Sequence, residues 1–282
     1  MMQRGILITG GAHGIGKQIC LDFLRQGDKV CFIDINEEAS KRFESEYHDL
    51  YYYYGDVANP DTLKNYVDFA KKRLGRIDVL VNNAGYGYRS AVEEGDIEEV
   101  NILYQTNLFG PIELIKLVLP YMREQKSGYI LNITSIAAAR SAIGSAYYAS
   151  SKAALELLTN GLMKEVAPLG IKVMVVQPGA FRTRFYDQES LKSSQKDIAD
   201  YASISGKTKV GRFENKHAQP GDPDKAGEVI VKVVNGNKLP EILTLGKDAV
   251  DAVKSTLEAK IEELNEWSDI SSQCDFEYIN MK

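Results

Sequence analysis

Tyr148 and Lys152 stand four residues apart, and Ser135 lies thirteen residues before the tyrosine. On a helix, i,i+4 spacing places phenol and ammonium on one face. A phenol ionises near pH ~10, so it is a poor base at neutral pH. An ammonium ~5 Å away, at an effective dielectric of ~20, favours the phenolate by ~3 kcal/mol, about two pKa units. The pattern therefore predicts a tyrosine poised to exchange a proton with an alcohol or carbonyl oxygen. A serine hydroxyl beside it would donate to, or orient, the same oxygen.

Tyr-x-x-x-Lys alone carries little weight. With 16 tyrosines and 23 lysines, the chain contains the pattern twice, at Tyr148/Lys152 and at Tyr278/Lys282. Context separates them. Ser135 closes an apolar strand at the carboxyl edge where open α/β sheets bind ligands. The residue thirteen before Tyr278 is Asn265, and that pair sits at a chain end. Tyr147 has Ser151 rather than lysine at i+4, so it is expected to pack or to form part of a pocket wall.

A second constellation opens the chain. Thr9-Gly10-Gly11-Ala12-His13-Gly14-Ile15-Gly16 follows an apolar strand and leads into a helix. Glycines at 10, 14 and 16 permit a sharp turn and close approach of a pyrophosphate, while the helix start offers unpaired N–H groups and partial positive charge. Asp34 ends the next strand, where a carboxylate can accept hydrogen bonds from an adenosine ribose. It would repel the extra phosphate of NADP, so NAD is favoured over NADP. The rival role for Asp34 is to cap the helix that begins with Glu37 and Glu38.

These residues need strand ends and helix starts to position them. Strands are expected at Gly5–Thr9, Lys29–Asp34, Leu50–Tyr54, Ile77–Asn82, Gly128–Thr134, Ile171–Gln177 and Glu241–Leu245. Helical patterns cover Ile15–Gly27, Glu37–Tyr47, Asp61–Leu74, Ile97–Glu124 and Ala146–Leu169. The alternation specifies an α/β fold, a Rossmann-type doubly wound parallel sheet of about seven strands with helices on both faces. One domain over 1–246 is expected, with a polar excursion at 180–225 read as a substrate loop. The tail 247–282 repeats Ala249, Val253, Leu257, Ile261 and Leu264 at helical spacing, predicting an amphipathic extension docked on the domain or a partner.

A net charge of −5 without a basic stripe argues against nucleic-acid binding. No run approaches a membrane span, and the N-terminus lacks a signal-peptide core. Cys20, Cys31 and Cys274 form no metal or disulfide spacing, which fits a reducing, cytoplasmic compartment. His13, His48 and His217 are scattered, and no catalytic metal is expected.

The ordered landmarks Thr9–Gly16, Asp56-Val57, Asn82-Asn83-Ala84-Gly85, Asn107, Ser135, Tyr148-x-x-x-Lys152 and Pro178-Gly179 with Thr183 resemble the single-domain short-chain dehydrogenase/reductases. The likeness runs from Arg4 to about Leu245. The Gln177–Thr183 stretch and the long C-terminal portion resemble the 17-beta-hydroxysteroid-dehydrogenase-like branch. That resemblance implies hydride transfer between a nicotinamide cofactor and a secondary alcohol or ketone, with Asn107, Ser135, Tyr148 and Lys152 catalytic.

It implies a cofactor cradle of Gly10, His13, Gly14, Ile15, Gly16, Asp34, Ile35, Asp56, Val57, Asn83, Ala84 and Gly85. Tyr148, Lys152, Pro178, Gly179, Phe181 and Thr183 complete that cradle. Asn82 and Gly85 would follow the ribose and stabilise the sheet centre, and Asn107 would link Lys152 through water to solvent. Ser135 and Tyr148 would meet the substrate, expected to be bulky and steroid-like. Its pocket walls would be Tyr86, Tyr88, Ile136–Ala142, Tyr147, Phe181, Phe185 and Tyr186. A 3-oxoacyl-thioester reductase and a non-catalytic dinucleotide sensor are the alternatives. Apolar residues beyond one stripe on the two longest helices predict a homodimer or homotetramer.

Overall fold

The computed structural model describes residues 3–187, 190–209 and 218–276. His217 and the Tyr278/Lys282 pair lie outside them. In chain order the strands are β1 (Gly5–Thr9), β2 (Lys29–Asp34), β3 (Leu50–Tyr54), β4 (Val79–Asn82), β5 (Gly87–Arg89), β6 (Gly128–Ile133), β7 (Ile171–Pro178), β8 (Leu191–Ser193) and β9 (Ile242–Leu245). The helices are α1 (Gly14–Arg25), α2 (Glu37–Ser45), α3 (Pro60–Leu74), α4 (Ile97–Tyr104), α5 (Gly110–Gln125), α6 (Ala146–Val166), α7 (Pro223–Val234) and α8 (Lys247–Ser271).

Seven strands form one parallel sheet in the order β3-β2-β1-β4-β6-β7-β9. The order reverses between β1 and β4, and such a switch point opens a crevice at the carboxyl ends of the strands. β1 and β4 are buried along their whole length, as expected of strands covered on both faces. One apolar layer lies between the sheet and α1 and α7, with Phe23, Phe32 and Ile230 at its centre. The other lies under α3, α5 and α6, around Tyr66, Leu114 and Leu162. The Tyr66 hydroxyl, fully buried, donates to the Cys31 carbonyl at 2.7 Å.

Two expectations need correction. The stretch 97–124 is not one regular helix, because a π-helical segment, Gln105–Phe109, separates α4 from α5 and contains Asn107. Pro111 has no N–H to bond the Asn107 carbonyl four residues back, which loosens the helix there. The excursion is not purely irregular. Leu191–Ser193 pairs in parallel with Gly87–Arg89, a second small sheet that the polar composition concealed. Buried Lys209 then pins the excursion, bonding Asp197 at 2.8 Å and the buried Glu94 carboxylate at 3.1 Å.

The tail is helical, and its first half packs on the domain: Ala252, Val253 and Thr256 are half-buried, and Lys260 donates to the Ala139 carbonyl at 3.3 Å. Ala249 is buried, whereas Leu257, Ile261 and Leu264 are more than half exposed. Among the described residues, no helix is long and apolar enough to cross a membrane.

Candidate active site

The glycine-rich turn is held by its neighbours before anything binds to it. The Thr9 hydroxyl accepts from the N–H groups of Asn83 and Ala84, each at 2.9 Å. The Asn83 amide donates to the carbonyls of Thr9 and Gly10 at 2.9 Å. A Cβ at Gly16 would lie 2.1 Å from the Gly10 carbonyl oxygen, so only glycine lets the turn fold back on α1. Asp34 ties in the other side, accepting from Ala12 N and from Asn36 N, both at 2.9 Å. The capping role considered for Asp34 belongs to Asn36, whose side chain accepts from Ala39 N.

The start of α1 differs from those of α2, α3, α4 and α7. Those four are capped by Asn36, Asn59, Asp96 and Asp222, and each has an acidic residue in its first turn. α1 has neither: His13 makes no capping bond, and no acid follows it. An uncapped helix start left facing a cleft is an anion site by its N–H groups and dipole. Its residues Gly14, Ile15 and Gly16 line that cleft. The residues present therefore fit a dinucleotide, with pyrophosphate at α1 and ribose at Asp34.

The cleft has a volume of about 800 Å³. It runs from Asp34, Ile35, Asp56 and Val57, past Gly10, His13, Asn83, Ala84 and Gly85, to Ser135, Tyr148 and Lys152. Pro178, Gly179, Phe181 and Thr183 form the facing wall. Thr183 packs over the glycine turn, its side chain 3.2 Å from where a Cβ on Gly14 would stand. His13 meets Arg184 at 3.1 Å across the same gap.

Asn82 sits at the centre of the sheet, donating to Asn132 at 2.8 Å, and does not itself line the cleft. Two expected pocket-wall residues lie elsewhere. Tyr88 and Tyr147 pack edge to face in a separate cluster with Val100 and Leu103 and do not form pocket walls. Their hydroxyls are engaged elsewhere: Tyr88 donates to Glu99, and Tyr147 to the Val92 carbonyl.

At the reaction end, Tyr148 is half-buried on the first turn of α6, its ring 5.7 Å from that of Phe185. Burial pushes the phenol up to about 12, while the Ser135 hydroxyl draws it down; Tyr186 adds to the rise and Arg89 opposes it. The Lys152 side chain is 4% exposed, and its ammonium donates to the Ile133 carbonyl at 2.9 Å. Burial lowers Lys152 to about 8. Desolvation thus dominates both groups, and the expected electrostatic rescue of the phenol by Lys152 is not among the influences that set its pKa.

Asn107 does not line the cleft. It is fully buried behind the wall, accepting from Tyr86 N at 3.1 Å and donating to the Tyr86 carbonyl at 3.0 Å. A Cβ on Gly85 would stand 2.9 Å from Asn107 Oδ1 and 3.2 Å from Lys152 Nζ, so the bare glycine lets these two groups share one corner.

Sequence reasoning missed Asp248, whose carboxylate accepts from Ala180 N at 2.9 Å and fixes the Pro178–Ala180 turn from the start of α8. Nothing in the local pattern marked it, because an acid in a first helical turn usually serves only its own helix. It also missed Arg89, the last residue of β5.

A crevice at a switch point, an uncapped helix facing it and a Ser-Tyr-Lys corner at its far end define a nucleotide-binding oxidoreductase of Rossmann architecture. The comparisons with known proteins agree. The model of the short chain dehydrogenase family matches residues 4–194. A 3-ketodihydrosphingosine reductase of Bacteroides thetaiotaomicron is 34% identical over 83% of this chain and 84% of its own length. Oxidoreductase BOA17 of Botryotinia fuckeliana is 29% identical over 94% of this chain and 96% of its own. A solved short-chain dehydrogenase from Streptomyces avermitilis superposes with a TM-score of 0.89 at 36% identity, covering 98% of this chain and 100% of that one. This chain belongs to the short-chain dehydrogenase family.

Proposed function

We propose that the protein transfers a hydride between NAD(H) and a secondary alcohol or its ketone, with Tyr148 as the proton-transfer group. The observation that carries this reading is the convergence of Ser135, Tyr148 and Lys152 at one end of the cleft that begins at Asp34. The bound nicotinamide supplies or accepts the hydride. Tyr148 gives its phenolic proton to the carbonyl oxygen during reduction and takes it back during oxidation. Ser135 holds that oxygen in line. Lys152 sits where it can hold the nicotinamide ribose, and Asn107 fixes the backbone that frames it.

The preference for NAD rests on Asp34, and the apolar bulk of the substrate on Ile136, Phe181, Phe185 and Tyr186 along the wall. The likeness of Gln177–Thr183 to the 17-beta-hydroxysteroid-dehydrogenase-like branch points the same way. Purified protein given NADH and a panel of aromatic and alicyclic ketones is expected to consume reduced nicotinamide. Tight NADH binding with no turnover of any ketone would sink the enzymatic reading in favour of a sensor.

A homo-oligomer also fits. Leu157 on α6 is 75% exposed, with Phe109 exposed on the neighbouring π-helical stretch. Large apolar groups gathered on one side suit a subunit contact. Sedimentation at micromolar concentration should give a multiple of the chain mass, and a single-chain mass would refute the contact.

A further inference from the structure

Arg89 closes β5 at the edge of the reaction end of the cleft. Its Nε is shielded from solvent and has no hydrogen-bond partner, and among the described residues no carboxylate pairs with its guanidinium. Removing a cation from water without a counter-ion is costly, so such a group normally has one. The charge along the cleft is also uneven. Asp34, Glu37 and Asp56 line the adenosine end, whereas Arg89, Arg140 and Lys192 line the end that holds Tyr148. Gly87, two residues earlier on β5, lies against Phe185, whose ring packs on that of Tyr148, so the strand end that carries Arg89 lies at the phenol's end of the cleft, and Arg89 acts electrostatically on the Tyr148 and Tyr186 hydroxyls.

Burial lowers the affinity of Arg89 for its proton, in keeping with a desolvated site that lacks an anion of its own. A planar guanidinium recognises a carboxylate through paired N–H donors, with a geometry an ammonium cannot match. We infer that the substrate is an oxo acid or hydroxy acid whose carboxylate pairs with Arg89 while its carbonyl or hydroxyl group meets Tyr148 and Ser135. This rests on the alcohol/ketone reading above and narrows it to an apolar body with one acidic end.

The test compares benzoylformate and benzoylpropionate with their methyl esters in the wild-type protein and in Arg89→Met and Arg89→Lys. Methionine fills much of the same space, and Arg89 has no side-chain partner to lose, so both variants are expected to fold and bind NADH. In the wild-type protein at least one acid should be preferred to its ester. Arg89→Met should raise KM for that acid by about 100-fold and leave KM for the ester within a few-fold. Arg89→Lys should recover only part of the loss.

Binding is measured apart from turnover, by calorimetry of the acid onto the NADH complex of Tyr148→Phe. Affinity retained there and lost when Arg89→Met is added supports the pairing even if no ketone is reduced, which separates this inference from the enzymatic one. An equal fall in kcat for acid and ester, with KM unchanged, would overturn it and make Arg89 a promoter of the phenol. Acids that bind no better than esters would also overturn it.

Discussion

Replacing Tyr148 with phenylalanine is expected to leave a folded, NADH-binding protein whose turnover falls by ~10²–10⁴-fold, the usual worth of a positioned proton donor. The fold should survive because the ring keeps its packing against Phe185, and what is removed is a hydroxyl that burial disfavours as an anion. The loss should appear in kcat and kcat/KM together, since the proton moves in the transition state rather than in substrate binding. Retention of more than a few per cent of wild-type turnover would remove the proposed proton donor. The pH dependence has a definite sign. With the phenol pushed up to about 12, Tyr148 carries its proton throughout the neutral range. Ketone reduction uses the protonated form, so its kcat/KM should stay flat there. Alcohol oxidation needs the phenolate, so its kcat/KM should climb with pH by up to about tenfold per unit. A falling oxidation rate over the same range would contradict the assignment. Lys152, lowered to about 8 by burial, loses its charge within that range in the free protein, so cofactor affinity should weaken on the alkaline side of it.

The strands of the sheet and the floor of the cleft could be read in the sequence because each rested on local chemistry. Gly5–Thr9, Lys29–Asp34 and Leu50–Tyr54 are apolar or aromatic runs with sharp polar or glycine boundaries, and the structure ends the strands at those residues. What escaped the sequence depended on contacts far apart in the chain. The break at Asn107 arises from a proline four residues on, inside a stretch whose apolar period continues unbroken. The pairing of Gly87–Arg89 with Leu191–Ser193 joins segments about a hundred residues apart, and neither is long enough to show alternation. The tail's apolar residues recur at helical spacing, yet Leu257, Ile261 and Leu264 are not covered by the domain itself. Periodicity reports that a helix has an apolar face, not that the domain is long enough to cover it. At the site, Tyr148, Lys152 and Ser135 were legible as residues. Their energetics were not, because the sequence shows an ammonium near a phenol but not the dry environment that disfavours both charges. Arg89 could not be read at all. A single arginine is ordinarily a solvated residue, and only its position over the cleft shows that it lacks an acid.

Changing Asp34 to asparagine should move cofactor preference toward NADP by ~30-fold, about 2 kcal/mol, as judged by the ratio of kcat/KM for NADH to that for NADPH. The figure is well below the bare Coulomb repulsion between a carboxylate and a doubly charged phosphate, because Asp34 is only partly buried and water screens the pair. Asparagine is the informative choice. Its oxygen can still accept one of the two backbone bonds, from Ala12 N or Asn36 N, that join the glycine turn to the end of β2. Alanine loses both, and should weaken NADH and NADPH together by loosening the turn as well as removing the charge. The two variants thus separate repulsion from scaffolding. High salt adds a third arm: screening should narrow the wild-type preference and leave that of Asp34→Asn nearly unchanged. A wild-type protein that already uses NADPH as well as NADH would show that Arg184 and His13, which meet at the rim of the same cleft, neutralise the phosphate that Asp34 was expected to repel.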